Sequence, residues 1–484
     1  MAVQIEAERK YALAKGERLP SLASVAEEGP VSEFRLEATY YDAPDYRLTR
    51  AWRVIRRRVG GEDEGWHLKL PGAGPDERIE VHAPLSHRRL PLDLRERVAD
   101  ILDAAPVIPV ALLSTRRRQQ QLLGPDGAVL AVTCTDHVRA TVGDREQEWW
   151  EAEVELVDGD TALLDRVEAV LRDAGIRRAA SGSKIARALD RAMAAALVPD
   201  ASAGGTVLAY LGEQIGVLQE REAAVRVDAP DAVHRSRVAT RRLRSALRTY
   251  AGVFAPGAVK RLRDELRWHA EELGAPRDAE VLRERLLAAV AELTTPGRDL
   301  VAGRIAESLA AAHASAHAEL VRTMASERYE RLQLDLEQLL AAPRLDRMAE
   351  EAASAVLLPM FEAAVRRVRK LTAHAGQRPG DLTRWHQVRK AAKAARYGAE
   401  VLVPVVGERA EHWRQRWEAV TEALGAVQDA VVAQRVIGDL SWHAVADGLP
   451  RMPFDDLRHE QDRLLRESLA QGREALAVAL AAQV

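Results

Sequence analysis

The stretch HRSRVATRRLR, residues 234–244, is answered further on by HQVRKAAKAAR, residues 386–396. In the first, His234, Arg237, Arg241 and Arg244 are spaced three, four and three apart. His386, Arg389, Lys393 and Arg396 repeat that spacing. On a helix turning about 100° per residue, each set falls within an arc of about 80°. Two helices therefore each carry a histidine and three cations along one face. Like charges stacked this way call for an anionic partner. A solvated face that happens to be basic would explain one such row, but not a second at matching offsets. Arg248 extends the first row by a turn, where the second row meets Glu400. Lys260, Arg263, Arg267 and Arg414 are weaker candidates for the same surface.

Each row is followed by a related segment, Leu273-Gly274-x-x-Arg277-Asp278 and Leu424-Gly425-x-x-Gln428-Asp429. An internal duplication is expected, two helical hairpins about a pseudo-twofold. From about residue 205 onward the chain reads as long Ala/Leu/Arg/Glu-rich helices, with breaks expected at Pro256-Gly257, Gly274, Pro296-Gly297, Pro379-Gly380 and Gly425.

Before that point the pattern changes. Val3–Leu13, Arg53–Val59, Gly65–Leu70, Arg78–Pro84, Val129–Val142 and Trp149–Val157 read as strands, divided by Gly-rich or acidic turns. Leu92–Ala104 and Asp160–Ala174 read as helices. The segment from Val198 through Gly204-Gly205 has linker composition. The expected organisation is an α+β domain over residues 1–197, a linker at 198–206 and an all-α domain at 207–480.

The strands carry charge in register. Strand period two puts Glu6, Glu8 and Lys10 on one face, and likewise Glu151, Glu153 and Glu155. Arg56 shares a face with Arg58, and Arg78 with Glu80. Polar outer faces of an open sheet would account for some of this. Three aligned carboxylates within a Debye length, however, repel unless a cation intervenes. Acids and bases facing one another across a barrel, with metal and phosphate between, satisfy both sets. Carboxylates favour Mg²⁺ or Mn²⁺, and clustered Arg and Lys match a triphosphate. Phosphoryl transfer to water needs positioning and charge neutralisation, not a nucleophilic Ser or Cys.

Composition sets the limits. The chain has 484 residues, 47% hydrophobic and 30% charged, with a net charge of −3, so polyanion binding must come from local clustering. One cysteine, Cys134, excludes an intrachain disulfide and suits a reducing compartment. Early charges (Glu6, Glu8, Arg9, Lys10) argue against a leader, and no uncharged run is long enough to span a bilayer. A cytoplasmic location without membrane association is expected. His313 and His317 have a zinc-compatible i, i+4 spacing but no adjacent third ligand. Asp278 and Asp429 suit helix caps. A basic surface short of Phe and Tyr suits phosphate better than nucleic acid.

At these residues the chain resembles a CYTH domain, of the triphosphate tunnel metalloenzymes, followed by a CHAD domain. The first likeness rests on Glu6-x-Glu8-x-Lys10, Tyr40-Tyr41-Asp42, Ile55-Arg56-Arg57-Arg58, Trp66-His67-Leu68-Lys69-Leu70-Pro71, Arg78-x-Glu80, Thr115-Arg116-Arg117, Asp136, the Glu151/Glu153/Glu155 strand and Ser183-Lys184. It implies an eight-stranded antiparallel tunnel and divalent-metal-dependent hydrolysis of a triphosphate inside it. Glu6, Glu8, Lys10, Glu153 and Glu155 would be catalytic. Glu6, Glu8, Asp136, Glu151, Glu153 and Glu155 would be the metal set. Arg56, Arg58, Lys69, Arg78, Arg116, Arg118 and Lys184 would grip phosphate. The run Arg116-Arg117-Arg118 leaves open which member faces inward.

The second likeness rests on the two basic rows and implies polyphosphate binding by His234, Arg237, Arg241, Arg244, Arg248, His386, Arg389, Lys393 and Arg396. Inorganic triphosphate is the expected substrate. A non-catalytic polyphosphate scaffold, and a triphosphatase or cyclase for an organic triphosphate, remain open.

Overall fold

The computed structural model describes residues 2–74, 76–195 and 201–481. Its backbone forms two compact units, the first comprising residues up to 199 with 337–342, the second the remainder.

In the first unit eight antiparallel strands close into a ring: β1 Ala2–Leu13, β2 Glu27–Asp42, β3 Val54–Val59, β4 Gly65–Pro71, β5 Glu77–Ala83, β6 Ile108–Leu123, β7 Val129–Val142 and β8 Arg145–Leu156. Their order around the ring is β1-β5-β4-β3-β2-β6-β7-β8. Strand β1 closes it by changing partners midway. Residues 2–7 pair with β5 and residues 8–13 with β8. A two-residue β9, Arg177–Arg178, adds to the outside of β1. The β3–β4 hairpin turns at Gly60, where φ is +88° and a Cβ would meet the Arg35 carbonyl oxygen at 2.2 Å. Only glycine fits there.

Two apolar clusters pack on the outer face of the ring and a third fills part of its interior. Helices α1 Arg47–Arg50, α2 Leu92–Glu96, α3 Ala99–Leu102, α4 Thr161–Asp173 and α5 Lys184–Ala195 accompany the ring. Leu163, Leu164, Val167 and Leu171 of α4 bury against Tyr11, Leu122, Ala131 and Val154. Ile185 and Leu189 of α5 pack on Leu113, Val138 and Trp149, which share the inward strand face of Arg117, Asp136 and Glu151, while Leu94 and Leu102 cover Ile55, Trp66 and Leu68 on the outside. Each such leucine contributes about 1.5–3 kcal/mol on burial. Along the same strands alternation points the charged residues into the ring, beside the inner apolar cluster.

The second unit is helical: α6 Ala203–Arg226, α7 Ala232–Thr249, α8 Lys260–Glu272, α9 Gly274–Ala291, α10 Arg298–Met324, α11 Glu327–Ala341 (its residues 337–341 counted with the first unit), α12 Ala353–Gly376, α13 Leu382–Val406, α14 Glu408–Ala446 and α15 Met452–Ala481. Ser202 caps α6 by accepting the Gly205 N–H, and Asp381 caps α13 by accepting those of Thr383 and Arg384. Helix α7 packs against α6, α8 and α13. No helix among the described residues is long and apolar enough to cross a membrane.

The expected fold class holds, an eight-stranded antiparallel ring followed by an all-helical region. Several details differ. The segment 92–104 forms two short helices, because residues Arg97 and Val98 interrupt it. Gly425 does not break a helix; it lies inside the 39-residue α14. Of the expected linker, residues 198–200 lie outside the described residues, and α6 begins at Ala203.

Candidate functional site

Inside the ring is a cavity of about 270 Å³. Strand β1 presents Glu6, Glu8 and Lys10 to it. Strand β3 presents Arg56 and Arg58, β4 Lys69, β5 Arg78 and Glu80, β6 Arg117, and β8 Glu153 and Glu155, with Lys184 entering from the start of α5. The acids and bases expected to oppose one another line one enclosed space.

Their pairing is uneven. Glu153 is gripped by Lys10, by Arg117 Nη2 at 2.6 Å and by Lys184 Nζ at 2.6 Å. Those cations hold its carboxyl well below the usual range against the opposing effect of burial. Behind it, Arg117 donates two bonds to Asp136, at 2.9 and 2.7 Å. Lys184 reaches Asp136 at 3.0 Å and Glu151 at 2.7 Å, and Trp149 Nε1 donates to Glu151 at 2.6 Å. Asp136, Glu151 and Glu153 thus form a buried acidic group with metal-compatible spacing. The Lys184 ammonium already sits among them.

Around β1 the balance is different. Burial and a hydrogen bond to Glu80 push Glu6 up to about 8, although Lys69 donates to it. Burial also raises Glu155. Burial would raise Glu8, but Lys10, at 3.0 Å, and Lys69 bring it to about 2. His67 Nδ1 lies 2.8 Å from Glu80, whose carboxyl His67 and Lys69 hold far below its ordinary range despite burial. Across the lumen the excess is positive. Burial, with Arg56 and Arg117 nearby, lowers Arg58 to about 9. The buried Nε atoms of Arg56 and Arg58 have no acceptor. The lumen is therefore polarised, with Glu6 and Glu155 raised on one side and, on the other, Arg56 near Glu80 at 3.7 Å and Arg58 paired with Asp63, each keeping a buried Nε without an acceptor.

The register of β6 corrects one expectation. Arg117 faces inward, as does Gln119, so Arg116 and Arg118 lie on the opposite face by strand alternation, and Arg116 is exposed. They are not lumen residues. Glu80 and His67 belong to the constellation and were not in the expected site. The alternation Arg78-x-Glu80 carried the signal for the first. The alternation His67-x-Lys69 carried it for the second.

The basic rows also converge in part. Arg389 lies in the field of Arg241 and Arg237. Lys393 is driven down to about 6 by burial and by Arg389, Arg241 and Arg237. The buried Nε of Arg241, the buried Nε of Arg389 and His386 Nδ1 have no partner. Burial, with Arg277 near His234 and Lys390 near His386, holds both histidines below their ordinary pKa. Arg396 is set apart, bonded to Glu418 and 3.9 Å from Glu400.

The glycines of the repeat have a defined place here. A Cβ on Gly425 would stand 3.2 Å from Arg389 Nη2, and one on Gly274 3.7 Å from Arg237 Nη2. Each central arginine lies across a glycine of the neighbouring helix. Asp278, expected as a cap, pairs with Arg237 Nη1 at 2.8 Å. His313 Nδ1 donates to the Pro276 carbonyl at 3.0 Å and its Nε2 lies 2.7 Å from Asp228, so both its nitrogens are engaged.

Residues 4–189 match the family model of the CYTH domain, and residues 209–438 that of the CHAD domain. The uncharacterized protein Rv2226 of Mycobacterium tuberculosis is 37% identical over 465 residues, covering 90% of this chain and 88% of that protein. Thiamine-triphosphatase of Homo sapiens is 44% identical over 73 residues, 14% of this chain and 28% of that enzyme. The solved CHAD domain from the plant Ricinus communis aligns with a TM-score of 0.46 and 26% identity, over 59% of this chain and 94% of that one. With both domain models matched in order and a relative alike over nearly its full length, the chain belongs to the family of proteins that join a CYTH domain to a CHAD domain.

Proposed function

We propose that the protein hydrolyses inorganic triphosphate in the tunnel, with a divalent metal, and binds polyphosphate through its helical domain. The observation that carries the first part is the polarised lumen. One side holds the buried carboxyls Glu6 and Glu155, both raised by burial, and the other the guanidiniums of Arg56 and Arg58, each with a buried Nε that lacks an acceptor. A metal–triphosphate complex supplies both deficits at once. At about 270 Å³ the cavity is slightly smaller than the pockets of about 300–1,000 Å³ that hold drug-sized ligands, which favours a small substrate.

The donor set fits a hard cation. Glu6, Glu8, Glu153 and Glu155 offer carboxylate oxygens to the lumen, and a cation bound there would oppose the upward pKa shift that burial and Glu80 impose on Glu6. Asp136 and Glu151 serve mainly to anchor Lys184, because a cation entering there would have to displace an ammonium. Mg²⁺ or Mn²⁺, when bound, neutralises phosphate charge and lowers the pKa of a coordinated water. Arg56, Arg58, Lys69, Arg78 and Arg117 hold phosphate oxygens by charge-assisted hydrogen bonds. The ring's apolar jacket keeps bulk water from screening those charges.

The test is a phosphate-release screen over tripolyphosphate, ATP, thiamine triphosphate and long-chain polyphosphate, with and without Mg²⁺. Fast Mg²⁺-dependent release from tripolyphosphate is expected. No release from any substrate would leave a binding scaffold instead.

One observation favours an organic triphosphate as the second reading. Trp52 is 57% exposed at the cavity mouth, in left-handed backbone at φ 58°. That conformation costs about 1–2 kcal/mol outside glycine. Its ring lies where a Cβ on Gly182 would meet it at 2.6 Å, so Gly182 makes room for it. Stacking on an aromatic ring contributes about 1–3 kcal/mol. If a ring-bearing triphosphate is the substrate, Trp52→Ala should raise its KM about tenfold and leave tripolyphosphate turnover unchanged. No difference between the two substrates would return the case to inorganic triphosphate.

For the helical domain, the glycine seats make a graded prediction. Gly425→Ala, which crowds Arg389, is expected to weaken polyphosphate binding several-fold. Gly274→Ala, which makes only an ordinary contact with Arg237, should not. In an Arg389→Ala background the Gly425→Ala effect should vanish, as a double-mutant cycle would show.

A further inference from the structure

Aligning His234 with His386 sets Arg244 against Arg396 and Arg248 against Glu400. Aligning Gly274 with Gly425 sets Arg263 against Arg414 and Arg267 against Glu418. At two matched positions, therefore, an arginine of the first half is a glutamate in the second.

The structure shows what those glutamates do. Glu400 accepts from Tyr210 at 2.7 Å and pairs with Arg242 at 2.8 Å, with Arg396 at 3.9 Å. Glu418 bonds Arg396 and takes Arg414 Nη1 at 2.8 Å, while Arg414 Nη2 reaches Glu411 at 2.6 Å. The arm leading away from the rows along α13 and the start of α14 is internally neutralised.

The matching arm along α7 and α8 is bare. Among the described residues, no hydrogen bond or ion pair joins Arg244, Arg248 or Arg263 to a carboxylate, nor Arg367 on the adjoining α12. Among the described residues Arg267 pairs with one carboxylate, Asp264 on its own helix, at 2.6 Å. Burial and mutual repulsion lower the pKa of Arg244 and Arg248, with Arg263, Arg267 and Arg367 among the charges they feel and Glu271 as the nearby acid. From Arg237 to Arg248 the row runs about 16 Å along the helix axis, a span suited to a linear polyanion rather than a compact one.

We infer that the anion held between α7 and α13 is a linear polyphosphate that leaves this cluster in one direction, along α7 and α8 over Arg248, Arg263 and Arg267. This rests on the polyphosphate-binding reading and adds a polarity and a chain-length preference to it. The glutamates at 400 and 418 close the other exit.

The test copies the second half into the first. In the full chain, with EDTA present to stop turnover, Arg248→Glu/Arg267→Glu is compared with wild type for binding of tripolyphosphate and of long-chain polyphosphate. Arg248→Gln/Arg267→Gln serves as a milder pair should the glutamates disturb folding, which circular dichroism would report. Both pairs should lose at least tenfold in long-chain affinity, with a shallower salt dependence, and less than twofold for tripolyphosphate. Long-chain affinity within twofold of wild type would overturn the inference, as would an equal loss for both ligands. Displacement of long-chain polyphosphate by single-stranded RNA at matched phosphate would overturn the ligand class. If wild type itself retains no long-chain polyphosphate, the underlying reading fails, an outcome distinct from a variant that binds as well as wild type.

Discussion

Glu6→Gln and Glu153→Gln are both expected to lower triphosphate hydrolysis by at least about 10²-fold, yet to shift stability in opposite directions. Glu153 is surrounded by Lys10, Arg117 and Lys184. Removing its charge leaves buried cations short of a partner, and breaking such a network costs about 3–5 kcal/mol. The melting temperature should fall by several degrees.

Glu6 is the reverse case. Its folded-state pKa stands near 8 against an ordinary 4.5, so in metal-free protein folding is progressively penalised as pH rises from 4.5 to 8. Glutamine removes that penalty. Without metal, Glu6→Gln should melt above wild type at pH 8, with the gain shrinking towards pH 5. Thermal melts in EDTA at several pH values check the sign. A fall in melting temperature at pH 8 would mean that Glu6 is well compensated, and the polarised lumen would lose its main support.

Removing the first basic row should have an equally large effect on binding. His234→Ser/Arg237→Ser/Arg241→Ser is expected to weaken polyphosphate retention by at least about 10²-fold, since charge-assisted hydrogen bonds contribute about 1.5–3 kcal/mol each. The slope of log affinity against log salt should fall by roughly two, by analogy with other polyanions. Retention unchanged at all salt concentrations would rule the surface out.

A pH effect accompanies this. Lys393 is held near 6, so at pH 8 it is neutral in the free protein. An arriving polyanion favours the charged form, so binding should take up a proton and weaken as pH rises from 6 to 9. Calorimetry at pH 8 in buffers of different ionisation enthalpy measures that uptake, and Lys393→Arg should abolish it.

The parts of the molecule legible in the sequence were those with a strict period. Glu6-x-Glu8-x-Lys10 and Arg56-x-Arg58 declare a strand face, and the row from His234 to Arg244 declares a helix face. Strands β2 and β6 did not declare themselves. Gly29-Pro30 interrupts β2, where the register slips between Glu28 and Val31, and β6 runs through Arg116-Arg117-Arg118-Gln119-Gln120-Gln121 with no apolar alternation. In the same way, three consecutive arginines could not reveal that Arg117 alone of them points inward. That follows from pairing with β2 and β7.

Sequence by itself determined the two domains, the sign of each charged face and the doubling of the basic row, because all of these are repeats along one chain. Tertiary structure decided which charges are already answered. Asp136 and Glu151 were spoken for by Lys184 and Arg396 by Glu418, while burial left Glu6 and Arg58 displaced from their ordinary pKa values despite Lys69 and Asp63, and Lys393 stands among other cations. The physical reason is range: backbone periodicity orients a side chain from its near neighbours, but its electrostatic state depends on burial and on ions brought within a few ångströms from distant parts of the chain.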